Sequence, residues 1–296
     1  MSLILGTRGS KLALKQADIV QKELLKQFPT LLITIKIIQT SGDKDLISPI
    51  SEIGGKGVFI KELEVALQNH EIDVAVHSLK DMTADLAPGM KIETFLTSEA
   101  SNDCVLFSSP KKTLRDLPKG SLVGTGSMRR KALLKKLYPH LKTVNVRGNV
   151  LTRIDKLHKK QFDALLLSEA GIIRLGLDHL VGERLDPKTF YPAPGQGVIA
   201  LEVGENEHKT HAINDLNQSI KSSMEIAFLK KMGLDCSSPL GTYTSLKNDK
   251  ISLHGFIANE SMTHYFEKSI QSSIDQRIDA AEELAENFIQ WIKQNP

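Results

Sequence analysis

Three observations place this chain in the α/β class. β-rich and amphipathic helical runs alternate over its first two-thirds, four helix starts carry small polar residues beside a cation, and the last third changes to strands followed by a covering helix. Together they predict two α/β domains with mostly parallel sheets that present helix ends to a shared cleft, plus a small C-terminal α+β domain. Predicted strands lie at 32–38, 72–76, 104–107, 122–124, 143–146, 164–167 and 198–203, and predicted helices between them at 11–28, 59–69, 128–137 and 150–160. The helix starts are TRGS at 7–10, GGKG at 54–57, TGSMRR at 125–130 and RGNVLTR at 147–153. A helix N-terminus offers unpaired N–H donors and positive potential, so each start can receive an anion. Ordinary capping explains any one of them, as with Ser10 ahead of an apolar stretch of helical period.

After PAPGQG at 192–197 the pattern changes. A strand is followed by a helix near 220–232, a loop at 233–241 that contains Cys236, strand-like runs at 251–258 and 265–270, and a helix from Asp275. In that last helix Ile278, Ala281, Leu284, Ala285, Phe288 and Ile292 share one face. The expected partition is 1–96 with 196–214, then 97–195, then 215–296. Heptads, low-complexity tracts and short-period repeats do not occur.

Composition narrows the function. At 296 residues, with 41% hydrophobic and 25% charged residues, the chain is an ordinary globular protein of two domains and a small third. No apolar run approaches the ~18 residues of a membrane span, and the N-terminal MSLILGTR lacks the basic and apolar regions of a secretion signal, so a cytoplasmic protein is expected. Cys104 and Cys236 are the two cysteines, too far apart for a CxxC pair or a cysteine-rich zinc site, and no metal is expected. Charge is concentrated: residues 111–160 hold 15 Lys/Arg against Asp116 and Asp155, a local net of +13, which leaves −10 for the remainder. A concentrated positive field selects anionic partners. Its lysines could equally form a solvated helix face; Arg129, Arg130, Arg147 and Arg153 sit instead beside Gly, Ser, Thr and Asn.

Eight segments together carry a resemblance: GTRGSKLAL (6–14), GGKGVFIKELE (54–64), DVAVHSLKDM (73–82), GTGSMRR (124–130), VRGNVLTR (146–153), AGIIRLGL (170–177), PAPGQG (192–197) and the Cys236 loop. In this order they resemble the porphobilinogen deaminase family along nearly the whole chain. The resemblance implies two domains like those of periplasmic binding proteins plus a third, and a dipyrromethane cofactor in thioether linkage to Cys236, on which four porphobilinogen molecules are joined into hydroxymethylbilane with loss of ammonia. It assigns Asp81 as the catalytic residue. Cofactor contacts fall on Arg8, Ser10, Lys56, Lys80, Thr125, Ser127, Arg129, Arg130, Arg147 and Gly148, and substrate contacts on Arg8, Ser10, Phe59, Arg147, Arg153 and Arg174. The protein is expected to act as a monomer on a small molecule, without nucleic acid or membrane.

The chemistry agrees with the charge. Porphobilinogen carries an acetate and a propionate, so a chain of pyrroles is a polycarboxylate, which guanidinium forks bind through bidentate charge-assisted hydrogen bonds. Asp81 ends the run IDVAVHSLKD at 72–81, where a buried strand meets a polar turn. A carboxylate there can stabilise pyrrole cations and move their protons; it can also serve as a helix cap or pair with Lys80. His77 reads as structural, and Phe59 either stacks on a pyrrole or fills the core. Cys236 needs only access and a thiolate, whereas Cys104, inside an apolar run, reads as a small buried hydrophobe. The sequence departs from the family pattern at Leu234-Asp235 and Ser237-Ser238 around the cysteine, and at Thr83, Gly126, Ile226, Ser168 and Glu169. Two other classes fit less well: a two-lobed anion-binding protein would not need a third domain with a cysteine, and a nucleic-acid binder would interleave aromatics with its cations, where Tyr138 stands alone in 111–160.

Overall fold

A computed structural model describes residues 2–40, 57, 60–83, 85–110, 113–234 and 238–295. The chain forms two compact units, Met1–Glu99 with Val198–Ser219, and Ala100–Gly197 with Ile220–Pro296. Each is built on a five-stranded sheet flanked by helices, so the α/β class is as the alternation predicts.

In the first unit β1 (Ser2–Thr7), β2 (Leu32–Ile37) and β3 (Val74–Ser78) run parallel, and β4 (Met90–Phe95) lies across β10 (Ile199–Gly204), giving the order β2-β1-β3-β10-β4. β10 is antiparallel to both of its neighbours. Helix α1 (Lys11–Gln27) buries Ala13, Gln16, Ala17, Val20 and Leu24, a stripe of helical period, and the apolar members Ala17, Val20 and Leu24 pack with Leu3, Leu5, Val74 and Val76 of the sheet. Helix α2 (Lys61–Gln68) covers the opposite face, with Leu63, Ala66 and Leu67 packed with Ile72 and Ala75. β1 and β4 lie outside the predicted strands. β1 is a short apolar run without alternation, because a central strand covered on both faces has no polar side to reveal it.

The second unit repeats the plan. β6 (Leu122–Gly124), β7 (Lys142–Val144) and β8 (Ala164–Ser168) are parallel, β5 (Asp103–Phe107) is antiparallel to β8 and to β9 (Glu183–Arg184), and the order is β7-β6-β8-β5-β9. Its helices are α3 (Met128–Leu137), α4 (Val150–His158) and the short α5 (Glu169–Arg174). The C-terminal part of this unit holds α6 (Leu216–Met232) from Ile220 onward, a three-stranded antiparallel sheet of β11 (Leu240–Lys247), β12 (Lys250–Ala258) and β13 (Tyr265–Ser273), and α7 (Arg277–Gln294). Phe228, Leu253, Ile257, Leu284 and Phe288 form its core, while Phe256 and Ala258 join the core of Val105, Leu133, Leu166 and Tyr191. β11 lies outside the predicted strands too: its LGTYTSLK is half small and polar residues, which read as loop until paired with β12.

Candidate functional site

The first unit places four of the candidate residues in two loops at the ends of parallel strands. β1 passes through Gly6-Thr7-Arg8-Gly9 into Ser10, whose Oγ caps α1 by accepting from Ala13 N at 3.2 Å. Thr7 is buried and donates to the Ala13 carbonyl at 3.2 Å, which fixes the turn. Arg8 is half-buried on this turn. β3 ends at Ser78, its Oγ held by Gln16 Nε2 at 2.8 Å, and the chain then makes a 3-10 turn, Leu79–Asp81, anchored by Leu79 N on the Val198 carbonyl at 3.0 Å. Asp81 is the last residue of that turn and exposed. It neither caps a helix nor pairs with Lys80: among the described residues no hydrogen bond or ion pair engages its carboxylate. Lys56, Phe59 and Cys236 lie outside the described residues.

Beneath that turn His77 is buried, as expected of a structural residue, with Nε2 at 2.9 Å from Oε2 of the fully buried Glu202. Glu64 on α2 accepts from Ala87 N at 3.0 Å, and burial pushes its carboxyl up, reinforced by the charge of Glu202.

In the second unit β6 passes through Gly124-Thr125-Gly126 into Ser127, the N-cap of α3, whose Oγ accepts from Arg130 N at 3.4 Å. Thr125 is buried and its Oγ1 accepts from Ser127 N at 3.2 Å. Arg129 and Arg130 follow, and both are buried rather than solvated. Arg129 Nη1 donates to Asp103 Oδ2 at 2.7 Å and to the Tyr191 carbonyl at 2.5 Å; Arg130 donates through Nη2 to Asp103 Oδ1 at 2.7 Å and through Nη1 to the Leu166 carbonyl at 3.0 Å. Gln196 Nε2 adds a third donor to Asp103 Oδ1 at 2.9 Å and also reaches the Ser101 carbonyl at 2.7 Å. Burial alone would raise the Asp103 carboxyl, but the two guanidinia outweigh it and hold it well below the usual carboxylate range. The Nε of Arg130 is buried and has no hydrogen-bond partner among the described residues.

The neighbouring turn at 147–149 brings the other cations. Gly148 has φ +105°, a left-handed value suited to glycine, and a Cβ there would lie 2.7 Å from Thr152 Cγ2. Asn149 caps α4 by accepting from Thr152 N at 3.0 Å, Arg153 Nε donates to the Gly148 carbonyl at 2.7 Å, and Lys156 Nζ to that of Arg147 at 3.2 Å. Arg147 and Arg153 remain half-exposed. Arg174, at the end of α5, is buried and donates through Nη2 to the Gly197 carbonyl. Glu225 on α6 accepts from Gly195 N and Thr244 Oγ1, each at 2.7 Å, and burial pushes its carboxyl up. Cys104 is fully buried in β5, its thiol pushed up to about 12 by burial, as expected of an inert hydrophobe.

Sequence reasoning missed Asp103, Gln196 and Glu225. Asp103 opens a strand, so only the fold shows that it meets two arginines 26 and 27 residues further on. Gln196 lies inside PAPGQG, a motif whose presence was clear and whose side-chain role was not. Among the described residues no group of histidine, cysteine and acidic side chains is arranged to hold a metal, and no helix is long and apolar enough to cross a membrane.

A family model described as "Porphobilinogen deaminase, dipyromethane cofactor binding domain" matches residues 3–212, and one described as "Porphobilinogen deaminase, C-terminal domain" matches 220–290. Porphobilinogen deaminase of Syntrophomonas wolfei subsp. wolfei is 39% identical over 293 residues, covering 98% of this chain and 95% of the relative. That of Clostridioides difficile is 38% identical over 288 residues, covering 96% and 94%. Among solved structures, the methionine binding protein MetQ aligns with a TM-score of 0.44 at 13% identity over 76% of this chain and 94% of its own. A Salmonella typhimurium periplasmic binding protein of high arginine specificity aligns with a TM-score of 0.39 at 14% identity, over 78% and 97%.

Proposed function

The chain belongs to the porphobilinogen deaminase family, and on that premise we propose how its residues deaminate four porphobilinogen molecules and join them head to tail into hydroxymethylbilane. The observation that carries this reading is the presence, in one chain matched over 3–212 and 220–290 by two family models, of a carboxylate in the turn after β3 that has no partner among the described residues, and of buried and half-buried arginines around capped helix starts. The donor set fits a dipyrromethane, whose side chains are carboxylates: the Asp103 cluster holds two guanidinia against one carboxylate, and Arg130 Nε has no partner among the described residues.

When bound, the dipyrromethane supplies the pyrrole on which the product chain is built. Cys236 is the attachment point, since Cys104 is sealed in the core with a thiol that stays protonated at neutral pH. Lys56, Lys80, Thr125, Ser127, Arg129, Arg130 and Gly148 hold its carboxylates. Arg8, Ser10 and Arg147 serve both cofactor and incoming substrate, Phe59 packs on a substrate ring, and Arg153 and Arg174 meet substrate carboxylates. Loss of ammonia from porphobilinogen leaves a cationic methylene-pyrrolenine, and Asp81 stabilises that cation through its pyrrole N–H and takes up the proton that C–C bond formation releases. Thr7, Ser78 and Gln16 keep the loops bearing Arg8 and Asp81 in place.

The partition into 1–96 with 196–214, 97–195 and 215–296 belongs to this proposal. So does a cytoplasmic monomer that binds neither nucleic acid nor membrane. Burial of Arg129 and Arg130 on Asp103 supports the former exclusion, because it takes two cations of the basic segment out of reach of a phosphate backbone.

Intact mass of the purified protein tests the reading. An excess equal to two linked pyrrole units, mapping to the Cys236 peptide, is expected; Cys236→Ala should remain folded without adduct or activity, and Cys104→Ala should retain both. An adduct on Cys104, or none on active protein, overturns the attachment.

A further inference from the structure

Arg129 and Arg130 are consecutive in α3, so their side chains leave the helix about 100° apart and would diverge without a common partner. Asp103 is that partner. It is fully buried, its Oδ2 receives Arg129 and its Oδ1 receives Arg130, each at 2.7 Å, with Gln196 completing Oδ1.

The repeated plan of the two units shows that the fold itself does not need this cluster. Asp103 pairs with Ser168 at the end of β8, and the same register in the first unit pairs Ile199 with Ser78 at the end of β3. The second and third residues after the N-cap are Arg129 and Arg130 in α3, and Leu12 and Ala13 in α1. One sheet therefore completes this corner with isoleucine, leucine and alanine, the other with a carboxylate and two guanidinia. Buried ion clusters are commonly neutral or inferior to apolar packing for stability, so a charged solution beside an apolar one points to a ligand. Two guanidinia against one carboxylate leave one positive charge in excess, and Arg130 Nε is buried with no partner among the described residues.

We propose that Asp103 is a positioning residue: it draws Arg129 and Arg130 to one side of α3 and leaves their remaining N–H groups and one positive charge directed at a carboxylate of the cofactor. The proposal rests on the reading that these arginines hold the dipyrromethane. Asp103 touches neither cofactor nor substrate; it acts through the arginines, as a supporting shell acts on a ligand site.

The test uses apoprotein given porphobilinogen, with adduct formation followed by intact mass and the thermal midpoint measured before and after loading. Asp103→Asn keeps size and loses charge. Loading is expected to slow ~10- to 100-fold, by analogy with the loss when the outer carboxylate that orients a metal ligand is removed, and the rise in midpoint on loading should shrink. A purely structural role would instead lower both midpoints equally and leave that rise intact, which overturns the proposal. Arg129→Gln and Arg130→Gln test the underlying reading separately: if neither slows loading, the arginines do not hold the cofactor and that reading fails; if both do while Asp103→Asn loads as wild type, only the positioning role fails. Should Asp103→Asn not fold, the charge-balanced pair Asp103→Asn with Arg129→Gln replaces it. Loading slower than that of Arg129→Gln alone is expected, and equal loading overturns the proposal.

Discussion

The two five-stranded sheets have the same strand order and the same sense at every pairing, yet they bury their polar clusters in different places. The antiparallel strand of each unit, β10 or β5, begins within three residues of the point where the chain enters that unit. Register then makes the correspondence residue by residue: Gly6 matches Gly124, Thr7 matches Thr125, His77 matches Leu167, Glu202 matches Leu106 and Ile199 matches Asp103. The first unit keeps His77 and Glu202 where the second has leucines, and the second keeps Asp103, Arg129 and Arg130 where the first is apolar. The common fold accommodates either chemistry at either place.

The largest expected effect lies in the first unit. Asp81→Asn keeps size and loses charge, and should lower turnover ~10²- to 10⁴-fold in cofactor-loaded enzyme, with Asp81→Glu less impaired. Steady-state turnover beside intact mass decides it, and near-normal turnover of loaded Asp81→Asn would move the search for the acid–base group elsewhere.

Next in size is the buried pair of the first unit. His77→Ala leaves the buried Glu202 Oε2 without its hydrogen-bond partner and should cost at least ~1–3 kcal/mol; the double change His77→Leu with Glu202→Leu, which copies the second unit, should recover much of that loss in denaturant titrations. No recovery would mean that the two sheets are not interchangeable at this point.

Arg147→Gln and Arg153→Gln should each cost ~1.5–3 kcal/mol of charge-assisted binding, read as slower loading or as accumulation of partly elongated product in mass spectra under limiting substrate. Indifference of both would reduce the second unit's half-exposed cations to solvated surface.

Acid titration gives a smaller contrast. The folded Asp103 carboxyl lies below its ordinary value of 3.8, so its contribution is complete above that pH and lost as pH falls below it. Glu64 and Glu225 are shifted upward by burial and have the opposite sign: each costs stability above its raised value and regains it as pH falls through that value toward the ordinary one. Acid unfolding followed by a probe in each unit should therefore show Asp103→Asn flattening the low-pH limb of the second unit alone.

The smallest expected difference tests the shared geometry. A Cβ on Gly6 would lie 2.3 Å from Ile72 Cδ1, and one on Gly124 2.9 Å from Phe162 Cε2, equivalent places in the two sheets. Each Gly→Ala should destabilise by ~1–3 kcal/mol, with partial relief from Phe162→Leu in the second unit.

Much of this was legible in the sequence. Helical period located α1, α3 and α4, because each repeats an apolar stripe that local side-chain geometry imposes, and continuous apolar runs located β3 and β8. The motif order identified the family, and the helix starts at Ser10, Ser127 and Asn149 were visible because capping is local chemistry. The 118-residue correspondence between GT at 6–7 and GT at 124–125 was also present, but as two residues in a long chain it carried too little signal to expose the repeated plan. Tertiary structure alone decided where the charges end. Nothing local links Asp103 to Arg129, Arg130 and Gln196, nor His77 to Glu202, since these contacts span 26 to 125 residues and exist only once antiparallel strands enter from elsewhere in the chain. Sequence determines which residues prefer helix, strand or cap; which buried polar group meets which partner is fixed by pairing of distant strands, and that pairing placed the arginine pair expected to meet carboxylates on a buried carboxylate of the chain's own, Asp103.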